Sequence, residues 1–292
     1  MSLNAANRAF TTIVVIAGAV FGLFAGTACW VFAMVLYRLV TDGLQTLGDA
    51  GTIAGLVLIT LLVTANVLAI RSLRVQAANT RRLGRWVRER GLPLTPGLSA
   101  AAEQAHLNGR VRLVDAPEAF SFAYGMARPT VAVSRGMIES VSPAELRAVL
   151  DHERYHVINY DPLKVVLARS LPDSLFFLPV LGELRGRYVA GRELAADRRA
   201  VQKSGASSVA GALFKVIGGP AGVDLSAAAA IGGDEALEAR VNQLESGTEP
   251  PSAPLPPARV LASVAGGAVL AWAAVASFVS FTPLMARLCT GR

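Results

Sequence analysis

The stretch DHERYH, residues 151–156, decides how the rest of the chain is interpreted. It contains an H-E-x-x-H pattern and uses two of only three histidines among 292 residues. Residues four positions apart on a helix lie about one turn apart on the same face, so His152 and His156 can reach one metal ion. Glu153 lies beside them, where it can take a proton from a metal-bound water. The pattern therefore predicts a metal site with its own general base.

The residues before this stretch predict the helix that the pattern requires. Ser142 is placed as an N-cap, Pro143 as the first helical residue and Glu145 as the third, which together form a capping box. The histidines are therefore expected on a helix that begins at Pro143.

Three long runs contain no Asp, Glu, Lys or Arg: Ala9–Tyr37, Ala50–Ile70 and Val260–Ala286. Each run reaches the roughly 20 residues with which an α-helix crosses a bilayer. The first run is too long for the apolar core of a signal peptide, so we expect an uncleaved span. The apolar segment 162–184 carries charges and prolines, and we expect it to pack in the core or touch the membrane surface without crossing. The chain is thus predicted to be a multi-pass membrane protein with about three transmembrane helices.

The net charge of +7 is concentrated beside the second apolar run. Seven arginines lie between Arg71 and Arg90, against the single acid Glu89. Basic clusters next to a span fix its orientation and attract anionic lipid. We therefore expect the lipid bilayer as a partner, no direct nucleic-acid binding, and a cell-membrane protein whose region between the second and third spans is cytoplasmic.

Short segments with strand-like composition lie between the spans, at Val111–Val114, Phe120–Tyr124 and Thr130–Val133. The fold class is therefore predicted as α+β. The predicted divisions are a transmembrane hairpin over 1–75, a cytoplasmic-facing domain over 76–248, a Pro-rich linker over 249–258, and a last transmembrane helix with a short tail over 259–292.

Two smaller features concern the spans and the cysteines. Gly18, Gly22 and Gly26 recur every four residues and give the first span a smooth face through which chains could associate. Cys29 and Cys289 support neither a disulfide framework nor a cysteine metal site.

Zinc sites in hydrolases use three protein ligands and one water. His106 is isolated before the strands, so we expect it to be a bystander. A carboxylate on a second helix is a better third ligand, and Glu193 is the best placed by its motif. Asp197, one turn later, could hydrogen-bond a ligand histidine. Asp161 could do the same or cap the end of the histidine helix.

Three motifs occur in a fixed order: ELRAVLDHERYH at 145–156, Asp161, and ELAAD at 193–197. In this order they resemble the integral-membrane gluzincin peptidases, and most of all peptidase family M56 of the BlaR1/MecR1 type. The related family M48, of the HtpX type, shares the pattern. The resemblance extends over roughly residues 110–245 and includes 119–136.

This resemblance implies a gluzincin-type zinc metallopeptidase domain, with a small sheet and helices that carry the motifs. It implies one Zn²⁺ per chain on His152, His156 and Glu193, with Glu153 as general base. The strand at 119–124 would pair with a protein or peptide substrate. A cytoplasmic transcriptional repressor is one candidate substrate.

Two departures from the family pattern stand out. Asp151 replaces a usually small residue, where it either tunes the site or faces solvent. The BlaR1/MecR1-type proteins carry a large penicillin-binding domain after the last span, which this sequence lacks up to Arg292. We therefore expect regulatory proteolysis at the cytoplasmic face without that domain. The alternatives are HtpX-like quality control of membrane proteins and a non-catalytic scaffold. Candidates for stabilising the oxyanion are Tyr155, Tyr188 and Arg198.

Overall fold

The computed structural model describes residues 5–217, 234–251 and 253–290. The chain divides into two compact units. A helical unit contains 11–72, 169–184 and 254–292, and a sheet unit contains 1–10, 73–168 and 185–253. The side chain of Cys289 lies outside the described residues.

Three helices in the described residues are long and apolar enough to cross a membrane: Ala6–Thr41, Ala50–Glu89 and Pro257–Thr282. They belong to α1 (Ala5–Thr41), α2 (Ala50–Glu89) and the last helix, α10 (Pro257–Thr290). Within the helical unit they share a core that includes Val31, Leu58, Leu270 and Phe281. Their outward faces keep large apolar side chains exposed, among them Phe32, Trp272 and Val275. An apolar surface of this extent is suited to lipid, and the prediction of about three spans is confirmed.

The segment 162–184 forms most of α6 (Asp161–Ser174) and the beginning of α7 (Val180–Ser204). Neither helix is among the three candidate spans, in agreement with the expectation that this segment does not cross. The helix that carries Glu193 begins at Val180, directly after Pro179 and twelve residues before Arg192.

The basic segment after the second span is not a separate helix. α2 runs without a break to Glu89, through the predicted boundary between residues 75 and 76. Neither Gly nor Pro occurs between Ile70 and Gly84, and the arginines and alanines there are strong helix formers. The chain therefore enters the sheet unit as a continuation of a spanning helix.

The sheet unit contains a four-stranded mixed sheet in the order β1-β2-β4-β3. The strands are β1 (Gly91–Leu92), β2 (Val111–Val114), β3 (Ser121–Tyr124) and β4 (Thr130–Ser134). β2 and β4 are parallel, and the other two pairs are antiparallel. The three predicted strands are confirmed, and β3 is one of the two outer strands of the described sheet, the other being β1.

The two faces of this sheet pack against different helices. On one face Val131 and Val133 pack with Val149 and Leu150 of α5 (Pro143–Ile158). On the other face Phe122 packs with side chains from the last turns of α2. Because side chains alternate along a strand, Ser121 and Ala123 of β3 lie on the face that α5 covers. β3 is thereby held beside α5, the helix that carries the histidines.

The remaining helices of the sheet unit are α3 (Pro96–Gln104), α4 (Arg135–Ser140), α8 (Ala206–Ile217) and α9 (Asp234–Ser246). The predicted capping box is present at the beginning of α5, where Ser142 and Glu145 bind each other's backbone N–H groups. Lys215 of α8 binds the same Glu145 carboxylate. Gly211 allows this close packing, because a Cβ there would lie 2.4 Å from Glu145 Oε1.

Candidate metal centre

The three predicted ligand side chains come together in the sheet unit. His152 and His156 lie one turn apart on α5, and their Nε2 atoms are 3.1 Å apart. Glu193 of α7 places Oε2 at 3.4 Å from His152 Nε2 and Oε1 at 3.7 Å from His156 Nε2. One donor atom from each residue lies within 4.8 Å of the other two. The cluster thus joins two helices whose motifs are about 40 residues apart.

A second layer of carboxylates orients both imidazole rings. Asp197 Oδ1 lies 2.8 Å from His152 Nδ1, and Asp161 Oδ2 lies 2.7 Å from His156 Nδ1. A carboxylate accepts a hydrogen bond, so each Nδ1 carries the proton and each Nε2 is left to face the centre of the cluster. Asp161 therefore binds a histidine, the first of its two predicted roles.

The turn between α5 and α6 makes this contact possible. Tyr160 has a φ of 54°, which is unusual for a residue other than glycine and reverses the chain after α5. Asp161 is consequently the buried first residue of α6, five positions after His156. Tyr188 of α7 donates a hydrogen bond of 3.2 Å to its other oxygen, Oδ1.

Glu153 occupies a position suited to a general base. Its Oε1 accepts a 2.8 Å hydrogen bond from Ser121 of the outer strand. Its Oε2 is buried and has no hydrogen-bond partner in the described part of the chain. A buried carboxylate oxygen without a partner is costly, which indicates that a ligand or water completes the site.

These side chains line one cavity of about 210 Å³. Its polar side holds the cluster and Glu153. Its apolar side includes Ala123 of β3 and Val209, Leu213 and Val216 of α8. A space of this size and composition can hold a short piece of an extended peptide next to a hydrolytic site.

Two arginines beside the carboxylates, the buried Arg192 and the half-buried Arg240, have no counterpart in the sequence analysis. Arg240 of α9 binds Asp197 through two bonds of 2.7 and 2.9 Å, and its third nitrogen lies 3.8 Å from Glu193. Arg192 lies 2.9 Å from Glu193 Oε1. Arg192 directly precedes a predicted ligand, which could have drawn attention to it. Arg240 follows Asp197 by 43 residues and belongs to none of the recognised motifs.

The charges of the cluster shift the proton affinities of its members. Burial alone would lower the pKa of His156, but the carboxylates of Glu193 and Asp161 outweigh it and raise the pKa to about 10. Burial would likewise lower the pKa of His152, but the hydrogen bond that its Nδ1 donates to Asp197 leaves that pKa above its usual value. Burial would raise the pKa of Glu193, but His156 and Arg192 hold it well below its usual value.

The donor set fits zinc. Zinc in hydrolases is bound by imidazole nitrogens and a carboxylate oxygen, with one position left for water. Bond lengths near 2.05 Å and tetrahedral angles place two bound nitrogens about 3.3 Å apart. The observed Nε2–Nε2 distance of 3.1 Å is close to that value. His152, His156 and Glu193 would therefore hold the ion with little rearrangement.

Other predicted residues lie outside the cavity lining. Tyr188 donates a hydrogen bond to Asp161, and Arg198 forms an ion pair of 2.6 Å with Glu249. Tyr155 does not line the cavity either, so none of the three suggested oxyanion partners is placed for that role. His106 is exposed in the turn after α3, and the described metal cluster does not include it.

Asp151 does not face solvent, so that suggestion is wrong, and it does not line the cavity. It is buried and accepts hydrogen bonds from Lys203 at 3.1 Å and Ser204 at 3.0 Å. Asp151 therefore links α5 to the end of α7. These two helices carry the cluster.

We expect zinc affinity to fall as the pH is lowered. Zinc binds only unprotonated Nε2, and the pKa of His156, raised to about 10, means that a proton occupies this nitrogen in the metal-free protein at neutral pH. The pKa of His152 is shifted in the same direction. Each displaced proton makes the apparent affinity rise about tenfold per pH unit, until the pH reaches the raised pKa. Chelator competition at several pH values between 6 and 9 measures the slope. A pH-independent affinity would contradict this protonation scheme.

Known proteins share the region that builds this site. Residues 83–221 match the model of peptidase family M48. Protease HtpX of Pseudomonas entomophila (strain L48) is 38% identical over 87 residues, which cover 28% of this chain and 30% of that protein. Protease HtpX of Acinetobacter baumannii (strain AYE) is 38% identical over 77 residues, 26% of each chain. The chain thus matches less than a third of the length of these relatives.

No solved structure is significantly similar to this chain. The matches support an M48-type membrane metallopeptidase and do not confirm the expected assignment to family M56. The matched residues contain the sheet, the histidine helix and Glu193. Within residues 83–221 the chain is therefore similar to peptidase family M48, and the described part of that region contains the His-His-Glu cluster.

Proposed function

We propose that this protein is a membrane-anchored zinc endopeptidase. The observation that carries the proposal is the position of Glu153, which directly follows a member of the His-His-Glu cluster and has one buried oxygen without a partner among the described residues. In this proposal His152, His156 and Glu193 hold zinc, and Asp197 and Asp161 orient the two histidines.

Bound zinc would supply Lewis-acid chemistry, lowering the pKa of a water molecule and polarising the substrate carbonyl. Glu153 accepts the proton of the attacking water on its free oxygen and passes it to the leaving amine. The hydrogen bond from Ser121 holds the other oxygen and fixes the orientation of the carboxylate. Arg192 and Arg240 line the same cavity and balance the negative charge around it.

The substrate would pair with β3. This strand is one of the two outer strands of the described sheet, and its residues Ser121, Phe122 and Ala123 line the cavity. An extended peptide that adds to such an edge is held by backbone hydrogen bonds and passes the catalytic residues. The apolar side chains of α8 would then bury the substrate side chains next to the cleaved bond, and would thereby select among substrates.

Two biological roles fit this chemistry. The relatives named protease HtpX favour quality control of membrane proteins. The motif order at 145–156, 161 and 193–197 also resembles the BlaR1/MecR1 type, which favours regulatory cleavage, for example of a cytoplasmic transcriptional repressor. The first role predicts that many substrates are cleaved with low specificity. The second predicts that one or a few are cleaved.

Comparison of the proteomes of cells that carry the wild-type protein or Glu153→Gln protein separates these roles. Quality control should leave many membrane proteins enriched in the variant, whereas regulatory cleavage should leave one intact cytoplasmic protein and its downstream changes. If no cleavage product depends on Glu153, the scaffold alternative replaces the proposal.

We further propose that the sheet unit lies in the cytoplasm. The seven arginines between Arg71 and Arg90 directly follow the second span, and such clusters stay inside. Reporter fusions at Thr248 and after Arg292 should therefore report a cytoplasmic and an extracytoplasmic position, respectively. An extracytoplasmic reporter at Thr248 would contradict this orientation.

Self-association through Gly18, Gly22 and Gly26 stays a prediction. Apart from the backbone of its own helix, no described part of the chain lies within 4 Å of where a Cβ would stand on any of the three, so this face is open to another helix. Crosslinking in the membrane, compared with a Gly22→Leu variant, tests it.

A further inference from the structure

Four arginines of α2 form one narrow face in the sheet unit: Arg74, Arg81, Arg85 and Arg88. With 3.6 residues per turn, these positions lie within about 60° of one another around the helix axis. All four side chains are exposed, and none of them pairs with an acidic side chain in the described ranges of the chain. Four like charges on one face repel one another and favour an anionic partner. We call this the arginine face.

The arginine face meets the outer strand at Tyr124, the last residue of β3. A Cβ on the buried Gly84 would lie 3.6 Å from the guanidinium of Arg88 and 3.9 Å from the Tyr124 ring, so the two groups lie over the same glycine. Burial raises the pKa of Tyr124, while the positive charges of Arg112 and Arg88 oppose that rise. A peptide on β3 would therefore enter positive potential as it passes Tyr124.

The arginine face belongs to the same compact unit as β3 and the metal cluster. Exposed charges are screened over about 8 Å at physiological ionic strength. Arg88 lies beside the Tyr124 ring and therefore acts on an anion bound near the end of β3.

We propose that the arginine face binds an acidic segment of the substrate, adjacent to the segment that pairs with β3. This inference rests on the proposed function, since it takes β3 as the substrate strand. The face extends about 21 Å from Arg74 to Arg88, the length of about six extended residues. Substrates that carry a short acidic segment next to an apolar extended segment would thus be selected.

Binding of two fluorescent peptides tests the proposal without hydrolysis. The peptides share an apolar extended half and differ in the other half, which is rich in Glu in one and in Gln in the other. Full-length Glu153→Gln protein in neutral detergent should bind the Glu-rich peptide about tenfold more tightly at low salt, because several exposed ion pairs contribute. Added salt should remove this difference.

The matched variants replace two arginines each. Arg85→Gln with Arg88→Gln should lower affinity for the Glu-rich peptide about threefold and leave the Gln-rich peptide unchanged. Arg147→Gln with Arg199→Gln removes the same charge from exposed positions on α5 and α7 and should preserve the preference. Equal binding of the two peptides, or an equal loss in both double variants, would overturn the proposal.

Two further outcomes separate substrate docking from lipid binding and from failure of the proposed function. If the face serves lipid, anionic nanodiscs should raise the Tm of the wild-type protein, the Arg85/Arg88 variant should lose that gain, and the Glu-rich peptide should have no advantage. That result would overturn substrate docking. Failure of the wild-type protein to hydrolyse any peptide would instead contradict the proposed function, while the binding preference would still be measurable.

Discussion

Glu153→Gln protein should retain its zinc and its fold and lose peptide hydrolysis by about 10²–10⁴-fold, the contribution of a positioned general base. Glutamine keeps the size of the side chain and can still interact with Ser121, whose hydroxyl lies 2.8 Å from Glu153 Oε1. It cannot accept the proton of the attacking water. Metal content, thermal unfolding and cleavage of a fluorogenic peptide measure the three properties on the same preparation.

Ser121→Ala is the matched control for this prediction. It removes the hydrogen bond to Glu153 without removing the base, so hydrolysis should fall by less than in Glu153→Gln protein. Glu153→Gln protein that holds zinc and cleaves at the wild-type rate would show that another group accepts the proton. Loss of zinc in this variant would instead make Glu153 a ligand.

Glu193→Ala and His152→Ala proteins should each lose most of their zinc and all measurable hydrolysis. Each substitution removes one of the three donors that the described residues bring to the cluster. Asp197→Asn acts indirectly through His152 and should lower zinc affinity by the smaller factor of about 10–100 that is typical of outer hydrogen bonds. Metal analysis after gel filtration, followed by titration with zinc, ranks the variants.

Asp151→Asn is the control for removal of a buried carboxylate. Asp151 lies on the same helix as the histidines but binds Lys203 and Ser204 and does not line the cavity. This variant should lose some thermal stability and keep full zinc occupancy. Glu193→Ala protein with full zinc occupancy would contradict the proposed ligand set.

The local features were predictable from the sequence because their causes lie within a few residues. Three charge-free runs are long enough to be spans, whatever surrounds them. The capping box at Ser142 and Glu145 is complete within four residues and sets the beginning of α5. The four-residue spacing of His152 and His156 places both rings on one face of any helix.

The arrangement around the histidines depended on the tertiary structure. Asp161 reaches His156 only because the chain reverses at Tyr160, and a positive φ at a tyrosine is not predictable from its sequence neighbours. Ser121 reaches Glu153 because the order of the strands places β3 at the edge next to α5. The burial of Asp151 follows from the packing of α7 on α5, which no local pattern encodes.

The sequence by itself determined the spans, the strands, the histidine helix and the candidates for the metal centre, since periodicity, capping and charge act over one or two turns. Only the tertiary structure showed that Arg240 of α9 neutralises Asp197 and Glu193. It also showed that Arg88 lies beside the end of β3. Charged side chains distant in sequence interact where packing brings them together, and that packing is the sum of many weak contacts that no short motif records.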